Sequence, residues 1–264
     1  MRHFVQDWSF YFYQLRKNLK NQRALRLSFG LQILGMFLNN IAFFIIWLFF
    51  IKAIGVTNGW GVKETFGLLS VSIFTFGLSR AFFGGIGQLG DRVITGSFDS
   101  FLTKPKSLYL RILNQDFYVS ALGDLIQGAL GIAIFLVWAQ PSPEQILLLL
   151  VMLPPAIITQ ASFGLISDCI IFWFPQAEQL NRAFLDLLIM PSTQPIALLE
   201  GAMRFVYIFV VPALLLAGLP IQAFIKFDWW LVALAYGVAI GWLLLSKLIL
   251  RWSLKKYESA NFFG

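Results

Sequence analysis

The sequence predicts an all-α polytopic membrane protein: six transmembrane helices, an N-terminal amphipathic helix at the membrane surface, and a re-entrant hairpin before the last span. Three observations carry this reading. The chain is 58% hydrophobic and only 12% charged, with a mean hydropathy of +0.75. Residues 27–51 contain no charge. The basic residues gather at the ends of the apolar runs. A hydrocarbon core ~30 Å thick takes about 20 helical residues at ~1.5 Å each, so the first run is long enough to cross. A secretory signal would have an apolar region of about 7–15 residues and a small-residue cleavage site. Here the run is longer, and no such site follows Phe50.

Residues 4–24 predict a surface helix rather than a span. Phe4, Trp8, Phe12, Leu15 and Leu19 recur at three- and four-residue steps, while Arg16, Lys17 and Lys20 interrupt any crossing. Such a helix lies in the headgroup layer or docks on a partner's surface. Span 1 follows at 27–51, and the basic residues before it place the N-terminus in the cytoplasm. Its outer connection, 52–63, carries the turn formers Asn58-Gly59 and Gly61.

Span 2 covers 64–83, and glycines at 84, 85, 87 and 90 break it at the inner end. A polar cytoplasmic stretch, 91–115, leads to span 3 at 116–138. A short connection, 139–143, leads to span 4 at 145–174, which contains Pro154-Pro155. Three apolar blocks remain, at 183–199, 203–225 and 229–250. Three full crossings would leave Lys247, Arg251, Lys255 and Lys256 outside, against the orientation rule. The middle block contains Pro212, Gly218 and Pro220, so it is expected to enter from outside, turn and leave. That backbone is tolerated only inside protein or a watery cavity. Of the twenty Lys and Arg, only Lys52, Lys63, Arg204 and Lys226 then fall outside. The chain reads as one domain, 1–264, with an interface helix (4–24), a six-span bundle (27–250) and a cytoplasmic tail (251–264), multi-pass in the inner or plasma membrane with both termini cytoplasmic.

Composition narrows the chemistry. The net charge of +7 sits at span ends, which points to anionic membrane lipids and not to nucleic acid. The single cysteine, Cys169, allows no internal disulfide, and the single histidine is His3. A His/Cys metal site or a histidine-based catalytic triad is therefore not expected, nor is any cofactor. Gly123 and Gly128 have GxxxxG spacing, but Ala129 and Leu130 follow where a phosphate-binding loop needs Lys and Ser/Thr. This pair reads as close helix packing. Gly237 and Gly241 form a GxxxG in the last span, a packing signal by default or a dimer seam. The chain is not expected to be an enzyme, and any ATP hydrolysis belongs to a partner.

The intramembrane ionisable candidates are Arg80, Asp124, Asp168 and Asp186. Each is costly in hydrocarbon, so each either pairs across helices or serves transport. The packing reading predicts an ion pair of Arg80 with Asp124 or Asp168.

The segment 96–105, GSFDSFLTKP, predicts a short cytoplasmic helix. Ser97 or Asp99 caps it, Pro105 ends it, and Phe98, Phe101 and Leu102 share one face. Such a helix suits docking into a partner's groove. This segment resembles the G-x-(L/F)-D-x-x-L-x-(K/R)-P element of type-2 ATP-binding-cassette (ABC-2) transporter permeases. The C-terminal RWSLKKYESANFFG resembles the ending of the same group. The resemblance implies a membrane permease domain that pairs with an identical or related permease, as a homo- or heterodimer, and with cytoplasmic ABC ATPase subunits. It implies a subunit of an ATP-driven exporter with an unidentified substrate. Gly96, Phe98, Asp99, Leu102, Lys104 and Pro105 would then couple the permease to the ATPase. The alternative is a non-transporting membrane assembly or regulatory protein, since fold and function separate readily.

Overall fold

The computed structural model describes residues 2–23, 26–55, 59–103, 107–114, 116–174 and 178–257, and the secondary structure of that set is helical. A surface helix, α1 (Arg2–Arg23), precedes the long α2 (Arg26–Ile54) and α3 (Val62–Phe82). Three short helices follow: α4 (Leu89–Ile94), α5 (Asp99–Leu102) and α6 (Leu108–Leu113). Then come α7 (Ser120–Ala139), α8 (Pro143–Cys169) and α9 (Glu178–Ser192). The chain ends with α10 (Gly201–Phe205), α11 (Gly218–Lys226) and α12 (Trp229–Leu254). Among the described residues, five helices are long and apolar enough to cross a membrane: α2, α3, α7, α8 and α12. The protein is a helical, multi-pass membrane protein.

Two helix pairs form the body, α3 against α7 and α8 against α12, with α2 packed on the outside of α7. Glycine makes the first pair close. A Cβ on Gly128 would lie 2.6 Å from the Phe74 Cα, and one on Gly123 2.8 Å from the Ile33 carbonyl oxygen of α2. The GxxxxG spacing is therefore a packing device, as its place in an apolar run suggests. Gly237 and Gly241 behave differently. Neither has a neighbour within 4 Å of its built Cβ, so the GxxxG of α12 packs against nothing in the described chain.

Helix α8 starts with a capping box: the Ser142 hydroxyl accepts from the Gln145 amide at 3.3 Å, and Gln145 Oε1 accepts from the Ser142 amide at 2.9 Å. It runs on through Pro154 and Pro155. Proline at 155 has no amide to donate to the carbonyl four residues back, Val151. The Tyr236 hydroxyl of α12 donates to that carbonyl at 3.1 Å. The freed acceptor is thus satisfied by a neighbouring helix, as hydrocarbon requires.

The last third departs from simple spans. The block 183–199 is expected to cross, but α9 stops at Ser192 and gives way to a 3₁₀ turn at Ile196–Leu198. The block 203–225 is a helix, a break and a helix. Helix α10 continues into a π-helical turn at Val206–Val210, a 3₁₀ turn occupies Ala213–Leu215, and α11 follows. Residues 212–221 are all buried. The Leu216 carbonyl in this break accepts from the Thr75 hydroxyl at 3.2 Å. Irregular backbone here is enclosed by protein and its polar groups find partners.

Helix α1 docks on this chain. Tyr11 is buried and its hydroxyl donates to the Phe82 carbonyl at the end of α3. Its own carbonyl accepts from Asn114 Nδ2 at 2.6 Å. Leu15 and Leu19 pack with Ala81, Phe117 and Ala121. Phe12, expected on the apolar face, is 55% exposed; the contact face runs through Tyr11 instead. The side chains of Phe4 and Trp8 lie outside the described set.

Candidate functional site: a clamped segment and the cleft beside it

Segment 89–103 lies between α3 and α6 and begins at the glycine-rich end of α3. The chain turns at Gly96, whose φ of +71° falls in the left-handed region that glycine adopts without strain. The Phe98 amide then donates to the Arg92 carbonyl at 3.0 Å, folding α5 back on α4. Phe98 is fully buried. Its ring stacks on Phe101 at 5.8 Å and meets Phe172 and Tyr257 edge-on at 5.6 and 5.0 Å.

Asp99 Oδ1 accepts from the Tyr257 hydroxyl at 2.7 Å. Burial first, and then Asp99, push that phenol up to about 12, so Tyr257 stays a proton donor at neutral pH. The two stretches quoted for the family resemblance therefore touch: the 96–105 segment meets the tyrosine of the tail. Two arginines hold the other side of α5. Arg92 lies over the Phe101 ring at 5.2 Å and pairs with Asp116 at 2.5 Å. Buried Arg111 donates to the Phe101 carbonyl and lies over the same ring at 5.7 Å.

The expected docking face needs correction. Phe98 and Phe101 point into the protein and anchor the segment to the ends of α8 and α12. A four-residue helix is too short for its spacing to settle which way a face turns. The large apolar side chains left in solvent are Leu102, 47% exposed, and Ile94, 51% exposed. Ile94 was not singled out by sequence; its position in α4, beside the basic residue Arg92, carries no signal of its own. Lys104 and Pro105 lie outside the described residues.

The intramembrane charges do not form the expected pair. Asp124 accepts from Asn40 Nδ2 at 2.7 Å, and both residues are buried. Asp168 accepts from the Gly87 amide at 2.7 Å. Among the described residues, the ion pairs are Lys63–Glu64 and Arg92–Asp116, so Arg80 is joined to neither Asp124 nor Asp168. Asp186 is exposed on α9. Arg80 is also exposed, and its guanidinium lies 5.6 Å over the Tyr118 ring. Gln88 Nε2 donates to the Tyr118 hydroxyl at 2.8 Å and fixes that ring.

Arg80 borders two cavities. One, of about 350 Å³, lies between the ends of α3, α8 and α9 and is lined by Phe83, Gln88, Tyr118 and Gln160 among others. The second, of about 190 Å³, lies between α2, α3 and α9 and is lined by Asn39, Asn40, Ser72, Asp124 and Thr193 among others. Phe76, Arg80 and Ile189 line both. No group of three or more His, Cys, Asp or Glu side chains suited to a metal occurs among the described residues.

The family model described as ABC-2 family transporter protein matches residues 37–261, from within α2 into the tail. No curated protein and no solved structure matches the chain. Segment 89–103, the Tyr257 contact and the residues lining both cavities, Met36 excepted, fall inside the matched stretch. The chain belongs to the ABC-2 transporter family and is a multi-pass membrane permease component of an ABC transporter.

Proposed function

We propose that this chain is the permease subunit of an ATP-driven exporter, with a separate ATPase docking on segment 89–103. The observation that carries this reading is the pairing of opposite faces on one short segment. Its inner face, Phe98 and Phe101, is fastened to the ends of α8 and α12, while Ile94 and Leu102 stand in solvent. A partner that pushes on the outer face therefore moves the ends of two spans. Gly96 supplies the turn and Asp99, through Tyr257, holds the segment in place. The Arg80 cleft adjoins α4 at the same end, so cargo from that side reaches it first, which favours export. The partner permease is an identical or related chain.

The orientation in this reading is six crossings with both termini cytoplasmic. Helix α9 begins the fifth crossing, and Ile196 and Leu199 complete it in the buried cluster that also holds Trp60 and Leu148, near the far ends of α3 and α8. The α10–α11 pair then enters and leaves from outside. Lys247, Arg251, Lys255 and Lys256 at the end of α12 favour this parity. In a Cys169→Ala background, cysteines at Ser142 and Phe227 are expected to react with an impermeant thiol reagent on intact cells. A cysteine at Ser107 is expected to react only after permeabilisation. The opposite pattern would invert the orientation and remove the ATPase from segment 89–103.

Purification of the full-length chain in mild detergent, with mass spectrometry of what accompanies it, tests the proposal. A nucleotide-binding-cassette ATPase in stoichiometric amount supports it. A well-folded preparation that repeatedly lacks such a subunit favours a non-transporting assembly role.

A further inference from the structure

We propose that the two cavities meeting at Arg80 form one binding site for an anionic amphiphile, whose charged group sits on the guanidinium while its apolar part lies between α2, α3 and α9. This rests on the permease reading and names the class of its cargo. An arginine within a span is costly unless something offsets its charge. The described residues provide no ion pair for Arg80: its guanidinium lies over the face of Tyr118, and Asp124 attracts it from beyond ion-pair distance.

The other charged groups bordering the two cavities are Asp91 and Asp124. Asp91 is exposed on α4, where water solvates it, and Asp124 is buried against Asn40. Arg80 is the one cation among the residues lining the two cavities, and the ligand it selects is an anion. The walls select an apolar body. Phe76 and Ile189 join the two cavities, Phe83 and Leu188 line the first, and Met36 and Phe43 line the second. The larger cavity lies within the ~300–1,000 Å³ range of small-molecule sites.

The probes are 1-oleoyl lysophosphatidylglycerol, neutral mono-oleoylglycerol and inorganic phosphate. Each is added to the complex purified through the full-length chain in a maltoside detergent, with bound adducts counted by native mass spectrometry. The lysophospholipid is expected to bind about tenfold or more tightly than mono-oleoylglycerol, the scale of one charge-assisted hydrogen bond. Arg80→Gln should abolish that preference, and Arg80→Lys should keep most of it. Ile189→Trp, which fills the junction between the cavities but leaves Arg80 in place, should weaken lysophospholipid binding as well. Phosphate alone should neither bind nor compete.

Unchanged preference in Arg80→Gln, or competition by phosphate equal to that of the lysophospholipid, overturns the proposal. If Arg80→Gln does not fold, the Ile189→Trp result decides: binding equal to wild type overturns it. ATPase content is read in the same samples. Loss of lipid binding with the ATPase retained bears on the cavity alone. An absent ATPase with lipid binding intact bears on the coupling reading alone.

Discussion

Phe98→Ala is expected to cut the yield of folded, monodisperse protein severely. The side chain is fully buried, with ring neighbours Phe101, Phe172 and Tyr257. Removing such a ring costs about 3–5 kcal/mol through lost burial plus the cavity left behind. Here the cavity would open where the segment, the end of α8 and the tail meet, so no single helix can collapse to fill it. Thermal unfolding in detergent, followed by size-exclusion chromatography, checks this. Phe98→Leu keeps most of the volume and should recover much of the loss. If Phe98→Ala instead left stability unchanged and only released a bound partner, the ring would belong to an outer contact surface.

Gly128→Leu should separate α3 from α7. The first added atom already meets the backbone of Phe74 at 2.6 Å. Backbone cannot rotate away as a side chain end can, so the two most closely associated helices must shift. Even Gly128→Ala is expected to cost about 1–3 kcal/mol, the usual price of overpacking. Gly237→Ala provides the contrast, because its built Cβ has no neighbour within 4 Å. It should leave the melting temperature of the isolated chain unchanged or slightly raised, since alanine favours helix by roughly 0.5–1 kcal/mol over glycine. Equal destabilisation by Gly128→Ala and Gly237→Ala would mean that the α3–α7 contact does not set the fold.

Much of the architecture was legible because hydrocarbon imposes strict length and charge rules. Residues 27–51 are long and apolar enough to cross, and α2, α3, α7, α8 and α12 follow the long apolar runs to within a few residues at each end. Pro212, Gly218 and Pro220 correctly marked 203–225 as something other than a continuous helix. Rotation about helix axes was not legible. Arg80, Asp124 and Asp168 lie toward the same end of their spans, yet matched depth does not make side chains face each other. Asp124 accepts from Asn40 and meets Arg80 only across the second cavity, and Asp168 accepts from the Gly87 amide. Helix α1 illustrates the same limit, since aromatic residues at 8, 10, 11, 12 and 13 leave its apolar face ambiguous. The sequence singles out segment 96–105 as a candidate but does not show which of its side chains turn outward. Phe98 and Leu102 share an apolar pattern, and only the contact with Tyr257, distant in sequence, separates the inner residue from the outer one.

The ATPase retained by the Ile94→Ala/Leu102→Ala double variant tests the coupling reading most directly. Both side chains are about half exposed and support little of the permease fold, so its melting temperature should remain near that of the wild type. Buried anchors at an interface are worth about 2 kcal/mol each, so losing two should reduce bound ATPase by well over tenfold. The measurement is the ATPase-to-permease ratio after purification in mild detergent, beside the wild-type chain. Near-complete loss of the ATPase from a folded permease is the predicted result. A ratio equal to that of the wild type would contradict it and move the ATPase contact away from segment 89–103.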